Sequence, residues 1–286
     1  MSNLRELRRR IKSVKSIKHI TSAMQKISAS RLMRAKRRFL NSKSYNEVIL
    51  EMFSSVIAEC GGASGHSLLE INPGKQSLLF VISADKGLCG AFNSSLLRKA
   101  DNFIKEKNKQ GETVSLVCFG KKAVDHFKRN KQKLLFEYQN TPVFPKFPYI
   151  SEIADKLIER YITKEFSGVY VAYNKFISSY KQVSEITKLL PLDVSKKSGQ
   201  SSNYIYEPSA PMLFDELLSA RVRAFIWSAI LESSLGEHSS RMIMMEQASV
   251  NAGRMIDTLV LVSNKLRQSI ITKELTEIVG TSEALK

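Results

Sequence analysis

Residue types that make and break bonds are scattered in this sequence. The histidines stand far apart: His19, His66, His126 and His238. The cysteines form no CxxC pair: Cys60, Cys89 and Cys118. Glu237-His238, followed by Arg241, is not an HExxH zinc motif. No GxxxxGK[ST] phosphate loop occurs, and no GxGxxG follows the first apolar run. The sequence therefore predicts no catalytic residue, no metal ligands and no cofactor.

One short loop is the exception. Asp85-Lys86-Gly87-Leu88-Cys89-Gly90 follows the first apolar run, at the end of a strand where α/β proteins often bind ligands. Two readings are open: an enzyme that uses Asp85 and Lys86, or a tight turn with two glycines. The turn is the favoured interpretation.

The elements that position this loop alternate between strand and helix patterns. Continuous apolar runs of strand length are Ser77–Ser83, Thr113–Phe119 and Gly168–Ala172. Helical patterns occupy 93–109, 121–130 and 150–164. Such alternation predicts a Rossmann-like α/β domain with a mostly parallel sheet. Three further segments are predicted to be irregular: a linker at 61–76, a loop at Pro142–Pro148 and a polar loop at 194–203.

The first segment predicts one long helix over 4–58. Neither Gly nor Pro occurs before Gly61, and apolar residues recur in steps of three and four. The predicted stripe consists of Leu4, Leu7, Ile11, Val14, Ile17, Ile20, Met24 and Ile27. A helix of this length spans about 80 Å, so its stripe needs a partner.

The last segment supplies that partner. After Pro211 there is no proline, and a second helix is predicted over 212–279, with Gly236 and Gly253 tolerated inside it. Its apolar residues form a heptad seam of Met245, Ala248, Ala252, Met255, Leu259, Val262 and Leu266. The predicted fold is thus an α/β domain at 75–208 inserted between two long terminal helices, 1–60 and 209–286, which form an antiparallel coiled coil.

Charge is concentrated at one end of the chain. The net charge is +17, and residues 1–43 hold fourteen Lys or Arg against one acid, Glu6. Candidate partners for this basic arm are nucleic acid, an anionic membrane surface or an acidic protein surface, and a solvated helix face is the plain alternative. Nucleic acid is the less favoured partner because no aromatic residue precedes Phe39. No apolar run is long enough for a membrane span, and the cysteine pattern fits a reducing compartment.

With these motifs placed, the whole chain resembles the gamma subunit of bacterial rotary ATP synthases. The segments that carry the resemblance are Leu4 to Arg38, Ser83–Asn93 (SADKGLCGAFN), Tyr173–Phe176 (YNKF), Leu189–Leu192 (LLPL), Tyr204–Pro208 (YIYEP), Glu237–Met242 (EHSSRM), Asn251–Gly253 (NAG), Asn264–Gln268 (NKLRQ) and Thr272–Gly280 (TKELTEIVG). They occur in the family's order at both ends of the chain.

The resemblance implies a rotor shaft that performs no bond chemistry of its own. Its paired helices would turn inside a hexamer of alpha and beta chains, and its α/β domain, with the epsilon subunit, would sit on a ring of c subunits. One copy per complex would couple ion flow, normally of protons, to ATP synthesis. The protein would be peripheral, at the cytoplasmic face of the bacterial cell membrane, and would reach the membrane only through the complex. The sequence leaves the choice between H⁺ and Na⁺ open.

The resemblance also implies contact residues. Those for the alpha/beta hexamer are Lys26, Arg34, Arg241, Arg267, Gln268 and Thr272. Those for the c ring and epsilon are Tyr204, Tyr206 and Glu207. Lys273 stands where the family usually has Gln. The alternative left open for the whole chain is a nucleic-acid-binding protein that uses the basic N-terminal helix.

Overall fold

A computed structural model describes residues 2–59, 66–193, 207 and 209–284. As predicted, one long helix precedes a five-stranded α/β domain in the sequence and a second long helix follows it. The elements are α1 (Ser2–Glu59), β1 (Gln76–Ile82), α2 (Phe92–Lys109), β2 (Thr113–Phe119), α3 (Lys121–Arg129), β3 (Leu134–Tyr138), α4 (Phe147–Ile162), β4 (Gly168–Ser178), β5 (Lys181–Leu190) and α5 (Ala210–Ala284). In the described part of the chain, no helix is long and apolar enough to cross a membrane.

The sheet has the strand order β3-β2-β1-β4-β5. β1 pairs in parallel with β2 and β4, and β2 pairs in parallel with β3. Only β5 is antiparallel, as the second strand of a hairpin with β4. The predicted mostly parallel sheet is confirmed. The sequence did not predict β3 and β5. Both are edge strands, partly exposed, and polar residues interrupt their apolar pattern.

Both faces of the sheet are covered. Leu78 and Phe80 of β1 face a core shared with α1, α4 and α5. Leu79 and Val81 face a second core under α2 and α3. This alternation is the two-residue period of a central strand buried on both sides, which explains why β1 is apolar throughout.

The chain divides into two compact units whose boundaries fall within the long helices. Residues 30–240 form the sheet unit, and residues 1–29 with 241–286 form the helical unit. In the sheet unit, Phe53 of α1 stacks on Phe214 of α5 at 5.9 Å, whereas Tyr45 shares a groove with Trp227. From the first of these contacts to the second, the residue number in α1 falls from 53 to 45 and the residue number in α5 rises from 214 to 227. The two helices are therefore antiparallel.

The predicted stripe of α1 is correct in part. Five of its residues are half-buried: Leu4, Leu7, Ile11, Val14 and Met24. Ile17, Ile20 and Ile27 are at least half exposed, which corrects their assignment to the stripe. Fully covered positions recur every seven residues, at Thr21, Ser28, Ala35, Ser42, Ile49 and Val56, and the end of α1 adds Phe53, Ser55 and Ile57. Small hydroxyl residues can occupy this seam because they bond to their own helix: Thr21 Oγ1 donates to the carbonyl of Ile17 at 3.0 Å, and Ser28 Oγ to that of Met24 at 2.8 Å.

The predicted seam of α5 is correct at five of its seven members. Met245 and Ala252 are buried, and Ala248, Leu259 and Leu266 are half-buried. Met255 and Val262 are about half exposed, which corrects their assignment to the seam. The helical unit is narrow, so only one position in each heptad is well covered.

Two segments predicted to be irregular are partly ordered. Residues 66–75 of the predicted linker pack on the sheet unit, where Leu68 is fully buried and Asn72 Nδ2 donates to the carbonyls of Tyr161 at 2.8 Å and Phe166 at 3.1 Å. Pro148 lies in the first turn of α4, because proline tolerates that position. The predicted polar loop at 194–203 lies outside the described residues.

Candidate partner-binding surfaces

The Asp85 loop lies at the carboxyl edge of the parallel strands. The Asp85 carboxylate accepts hydrogen bonds from the backbone N–H groups of Lys121 at 2.7 Å, Asn140 at 3.3 Å and Thr141 at 3.0 Å. The Thr141 hydroxyl donates a fourth bond at 3.2 Å. One side chain thus ties together the ends of β1, β2 and β3, which agrees with the structural reading of this loop.

Cys89 in the same loop is locked rather than reactive. Its side chain is buried, and Asn93 Nδ2 lies 3.2 Å from its sulfur. Ser240 of α5 donates to the Cys89 carbonyl at 2.7 Å. Burial also raises the pKa of the Cys118 thiol to about 12, which removes a second candidate nucleophile.

A small cavity lies beside this loop at the end of β1. It holds about 100 Å³ and is lined by Arg31, Ser83, Thr141 and His238, among others. Among the described residues, no cluster of His, Cys, Asp and Glu could hold a metal ion. The carboxyl edge of the sheet is therefore occupied mainly by bonds within the chain.

The predicted hexamer contacts of α1 lie on exposed helix faces. Lys26 belongs to the helical unit and Arg34 to the sheet unit, and both side chains are exposed. Acids are scarce around them, and the basic arm forms a surface pair between Arg10 and Glu6 at 3.1 Å. The arm thus presents a largely uncompensated positive surface, which suits diffuse attraction to an acidic surface.

The predicted contacts of α5 fall into two groups. Arg267, Gln268 and Thr272 are exposed, and the Thr272 hydroxyl donates to the Gln268 carbonyl at 2.9 Å. Gln268 and Thr272, four residues apart, share one face, and Arg267 is turned away from it by about 100°. Arg241 is only 5% exposed, so its guanidinium is positioned inside the chain rather than on the surface.

The end of α5 carries an apolar surface that sequence reasoning missed. Every residue from 271 to 281 is exposed. Four of them are large and apolar: Ile271, Leu275, Ile278 and Val279. Because Gly253 lies beside Lys18, an antiparallel α1 begins at about the level of residue 269, and in the described part of the chain no helix lies beside the rest of α5. The continued spacing of three and four past Leu266 was the available signal.

The predicted contacts for the c ring and epsilon are described only in part. Tyr204 and Tyr206 lie outside the described residues, and Glu207, an exposed residue just before α5, is described.

Comparison with known proteins gives a consistent result. A family profile described as ATP synthase matches residues 3–285. The chain is 38% identical to the ATP synthase gamma chain of Pelotomaculum thermopropionicum over 288 residues, and 35% identical to that of Geotalea uraniireducens, in both cases covering 100% of each chain.

Solved structures give the same relationship. The chain is similar to one from the central stalk and c ring of Tetrahymena thermophila mitochondrial ATP synthase, with a TM-score of 0.62, 25% identity and coverage of 80% of this chain and 99% of the other. A chain of the Euglena gracilis mitochondrial ATP synthase shares the fold, with a TM-score of 0.56 and 18% identity over 92% of this chain and 95% of the other. Neither comparison supports the nucleic-acid alternative.

Proposed function

This chain belongs to the ATP synthase gamma chain family, and from that premise we propose that it is the rotor shaft of a bacterial rotary ATP synthase. It couples ion flow through a membrane ring of c subunits to ATP synthesis in a hexamer of alpha and beta chains. It makes and breaks no bonds itself. One copy serves each complex, at the cytoplasmic face of the cell membrane.

The observation that carries this proposal is the end of α5. Ile271, Leu275 and Ile278 are exposed there, and no helix among the described residues lies beside them. Such an exposed apolar surface is costly in water unless another protein covers it. A collar formed by the alpha and beta chains would cover it without fixing it in one orientation. Apolar contact is non-directional, so the end of the shaft could turn inside such a collar.

The helical unit below this end supports the same role. Its inner seam uses small residues, Thr21, Ser28 and Ala252, which permit close approach of the two helices. Its outer surface on α1 is strongly basic, including Lys26. Long-range attraction to acidic loops of the beta chains holds a turning shaft without one fixed partner.

We assign the specific contacts accordingly. Arg267, Gln268 and Thr272 contact the beta chains near the end of α5, and Lys26 and Arg34 contact them further along α1. Tyr204, Tyr206 and Glu207 face the c ring and epsilon. Arg241 is assigned a positioning role within the chain, since burial removes it from direct contact.

Co-assembly tests the proposal. The purified chain is mixed with alpha and beta chains of a related bacterial ATP synthase, and the product is separated by size. We expect one copy of this chain per hexamer and rotation of a bead attached to the sheet unit during ATP hydrolysis. Failure to enter the hexamer, with the chain shown to be folded, would overturn the shaft assignment.

A further inference from the structure

The amino edge of the parallel sheet, opposite the Asp85 loop, carries a row of lysines. The turns that lead into β3, β2, β1 and β4 lie side by side because those strands are neighbours in that order. Each turn, or the helix end that leads into it, presents at least one exposed lysine. We call four of them, one from each strand start, the basic edge: Lys131, Lys109, Lys75 and Lys164. With neighbouring strands about 4.8 Å apart, four adjacent strand starts span about 15 Å.

The acids near the basic edge are already paired with other cations. Glu112 bonds to Lys107 at 2.9 Å, and Glu165 bonds to Arg160 at 2.8 Å. Within the described residues, no lysine of the basic edge forms an ion pair. Four positive charges therefore face solvent without an ion-pair partner among the described residues.

Two of these lysines occupy positions that favour glycine. Helices α2, α3 and α4 end in the same motif, in which the N–H groups of Glu112, Gln132 and Glu165 donate to carbonyls five residues back at 3.0, 2.9 and 3.3 Å. The left-handed residue of the motif is Gly111 in α2, at φ 77°, but Lys131 in α3, at φ 56°, and Lys164 in α4, at φ 61°.

A favourable interaction with the helix dipole does not explain why lysine rather than glycine occupies positions 131 and 164. Lys128 and Arg129 already stand in the last turn of α3, and Arg160 stands in the last turn of α4. A further lysine in a disfavoured conformation adds little to the helix, and within the described residues neither the Lys131 nor the Lys164 side chain forms a hydrogen bond or an ion pair. A partner outside the chain would account for lysine at these two positions.

We propose that the basic edge binds the phosphate groups of anionic phospholipids at the membrane surface. Lysine ammonium groups on flexible stems suit phosphates in a fluid layer, whereas fixed carboxylates on a protein favour the arginine fork. The aromatic residue in these turns, Phe166, is only 2% exposed, so the described turns offer no exposed ring on which the bases of a nucleic acid could stack. Binding to a membrane surface needs no cavity, because a row of ammonium groups can contact the phosphates of a flat lipid layer.

The location of the edge agrees with this partner and rests on the proposed function. The segment from His66 to Asn72 connects the edge to the start of α5: Asn72 bonds to Tyr161 and Phe166, and His66 Nε2 lies 3.7 Å from Asp215. Glu207, the described residue among those that we assign to the c ring and epsilon, lies just before α5. A surface beside the ring faces the lipid that surrounds it.

Vesicle binding by the full chain tests the inference. Because the basic arm of α1 also attracts anions, the test uses a background chain with Arg5→Gln, Arg8→Gln, Lys12→Gln and Lys15→Gln. Its affinity is measured for vesicles of phosphatidylcholine with about 30 mol% phosphatidylglycerol, and for phosphatidylcholine alone. The edge variant adds Lys75→Gln, Lys109→Gln, Lys131→Gln and Lys164→Gln. The matched control instead adds Arg98→Gln, Lys121→Gln, Lys175→Gln and Lys181→Gln, an equal charge change on exposed residues of the sheet unit outside both the basic arm and the basic edge.

We expect the edge variant to lose affinity for the anionic vesicles by about tenfold or more, and the control by about threefold at most. Equal losses in both variants would overturn the inference, because binding would then follow total charge. A larger edge-dependent loss for a short RNA than for vesicles would also overturn it. Co-assembly of the edge variant with alpha and beta chains is measured separately, so failure of lipid binding and failure of the shaft assignment are distinguishable.

Discussion

Gly253 of α5 lies directly beside the Lys18 side chain of α1: a β-carbon built on Gly253 would be 3.4 Å from Lys18 Nζ and 3.7 Å from Lys18 Cε. The atoms it meets are the far end of a flexible, exposed side chain. Gly253 therefore lies at a close approach of the two helices that still has room for a methyl group.

Replacing Gly253 with Ala should stabilise the chain. Glycine inside a helix costs about 1 kcal/mol relative to alanine, and here Lys18 can move aside. We expect the free energy of unfolding to rise by about 1 kcal/mol in denaturant titration. The matched variant is Gly236→Ala, whose β-carbon would lie 3.1 Å from both Phe92 Cε2 and Gln182 Cγ, and it should gain clearly less. If Gly236→Ala raised the free energy of unfolding as much as Gly253→Ala, helix propensity alone would account for the effect at both positions.

Leu259→Asp tests the pairing of the helices. Leu259 is half-buried on the seam of α5, so a charge there is partly desolvated and should lower the free energy of unfolding by about 2 kcal/mol. Leu261, which is 71% exposed two residues away, is the control, and Leu261→Asp should change stability by less than about 0.5 kcal/mol. Equal effects would mean that the two helices are not packed along this seam.

Asp85→Asn tests the loop clamp. Asparagine keeps the shape of the side chain but offers one acceptor oxygen where the carboxylate now accepts four hydrogen bonds. We expect a loss of about 2 kcal/mol in the free energy of unfolding, with faster amide hydrogen exchange at Lys121 and Thr141. Asp125→Asn is the control, because Asp125 on α3 forms no hydrogen bond within the described residues. Unchanged exchange at Thr141 would contradict the clamp.

Glu232→Gln should stabilise the chain in a pH-dependent way. Burial raises the pKa of Glu232 above its ordinary value of 4.5, although the Phe176 N–H donates to its carboxylate at 3.0 Å. A raised pKa in the folded state means that ionised Glu232 contributes a penalty, which is absent below pH 4.5 and grows as the pH rises through the folded pKa. Gln keeps an acceptor for Phe176 without the charge.

The stabilisation by Glu232→Gln should therefore be present at pH 7 and disappear below pH 4.5, as measured by denaturant titration at several pH values. Glu232→Ala removes both the charge and the acceptor for the Phe176 N–H, so comparing it with Glu232→Gln separates the effect of the charge from that of the hydrogen bond. The Ala variant should be less stable than the Gln variant at every pH. A gain for the Gln variant that does not change with pH would show that charge is not its cause.

Arg267→Ala with Gln268→Ala tests the assigned contacts at the end of α5. Both residues are exposed, so the chain should stay folded and assemble. A hydrogen bond to a charged group contributes about 1.5–3 kcal/mol, and we therefore expect coupled ATP turnover to fall by about tenfold or more. Asn264→Ala with Lys265→Ala, an exposed pair one turn earlier, is the control. Full turnover in a complex of normal subunit content would mean that the family's contacts do not transfer to this chain.

The sequence predicted the elements that are apolar throughout. Thr113–Phe119 is confirmed with the same bounds, because a central parallel strand is buried on both faces and shows as a continuous apolar run. The sequence did not predict β5, because this edge strand mixes polar and apolar residues. Its strand conformation depends on antiparallel pairing with β4, which its own sequence does not reveal.

Side-chain placement on the long helices was harder to predict. Ile17 and Ile20 fit the spacing of a stripe, yet Thr21 is the buried residue, because the seven-residue seam favours small side chains at a close helix approach. The bonds of Asp85 to Asn140 and Thr141 join loops more than fifty residues apart, as their separations of 55 and 56 show. No local pattern specifies such a contact.

The Asp85 clamp also changes what the sheet can be used for. The crevice at the carboxyl ends of parallel strands is where α/β folds usually admit an anionic ligand to backbone N–H groups. Here a carboxylate of the chain itself already occupies the N–H groups of Lys121 and Thr141. Asp85 is tethered, so its effective concentration is far above that of any free metabolite. The N–H groups that could receive an anion at this edge are thus taken by a side chain of the domain itself, and the same bonds join the ends of three strands.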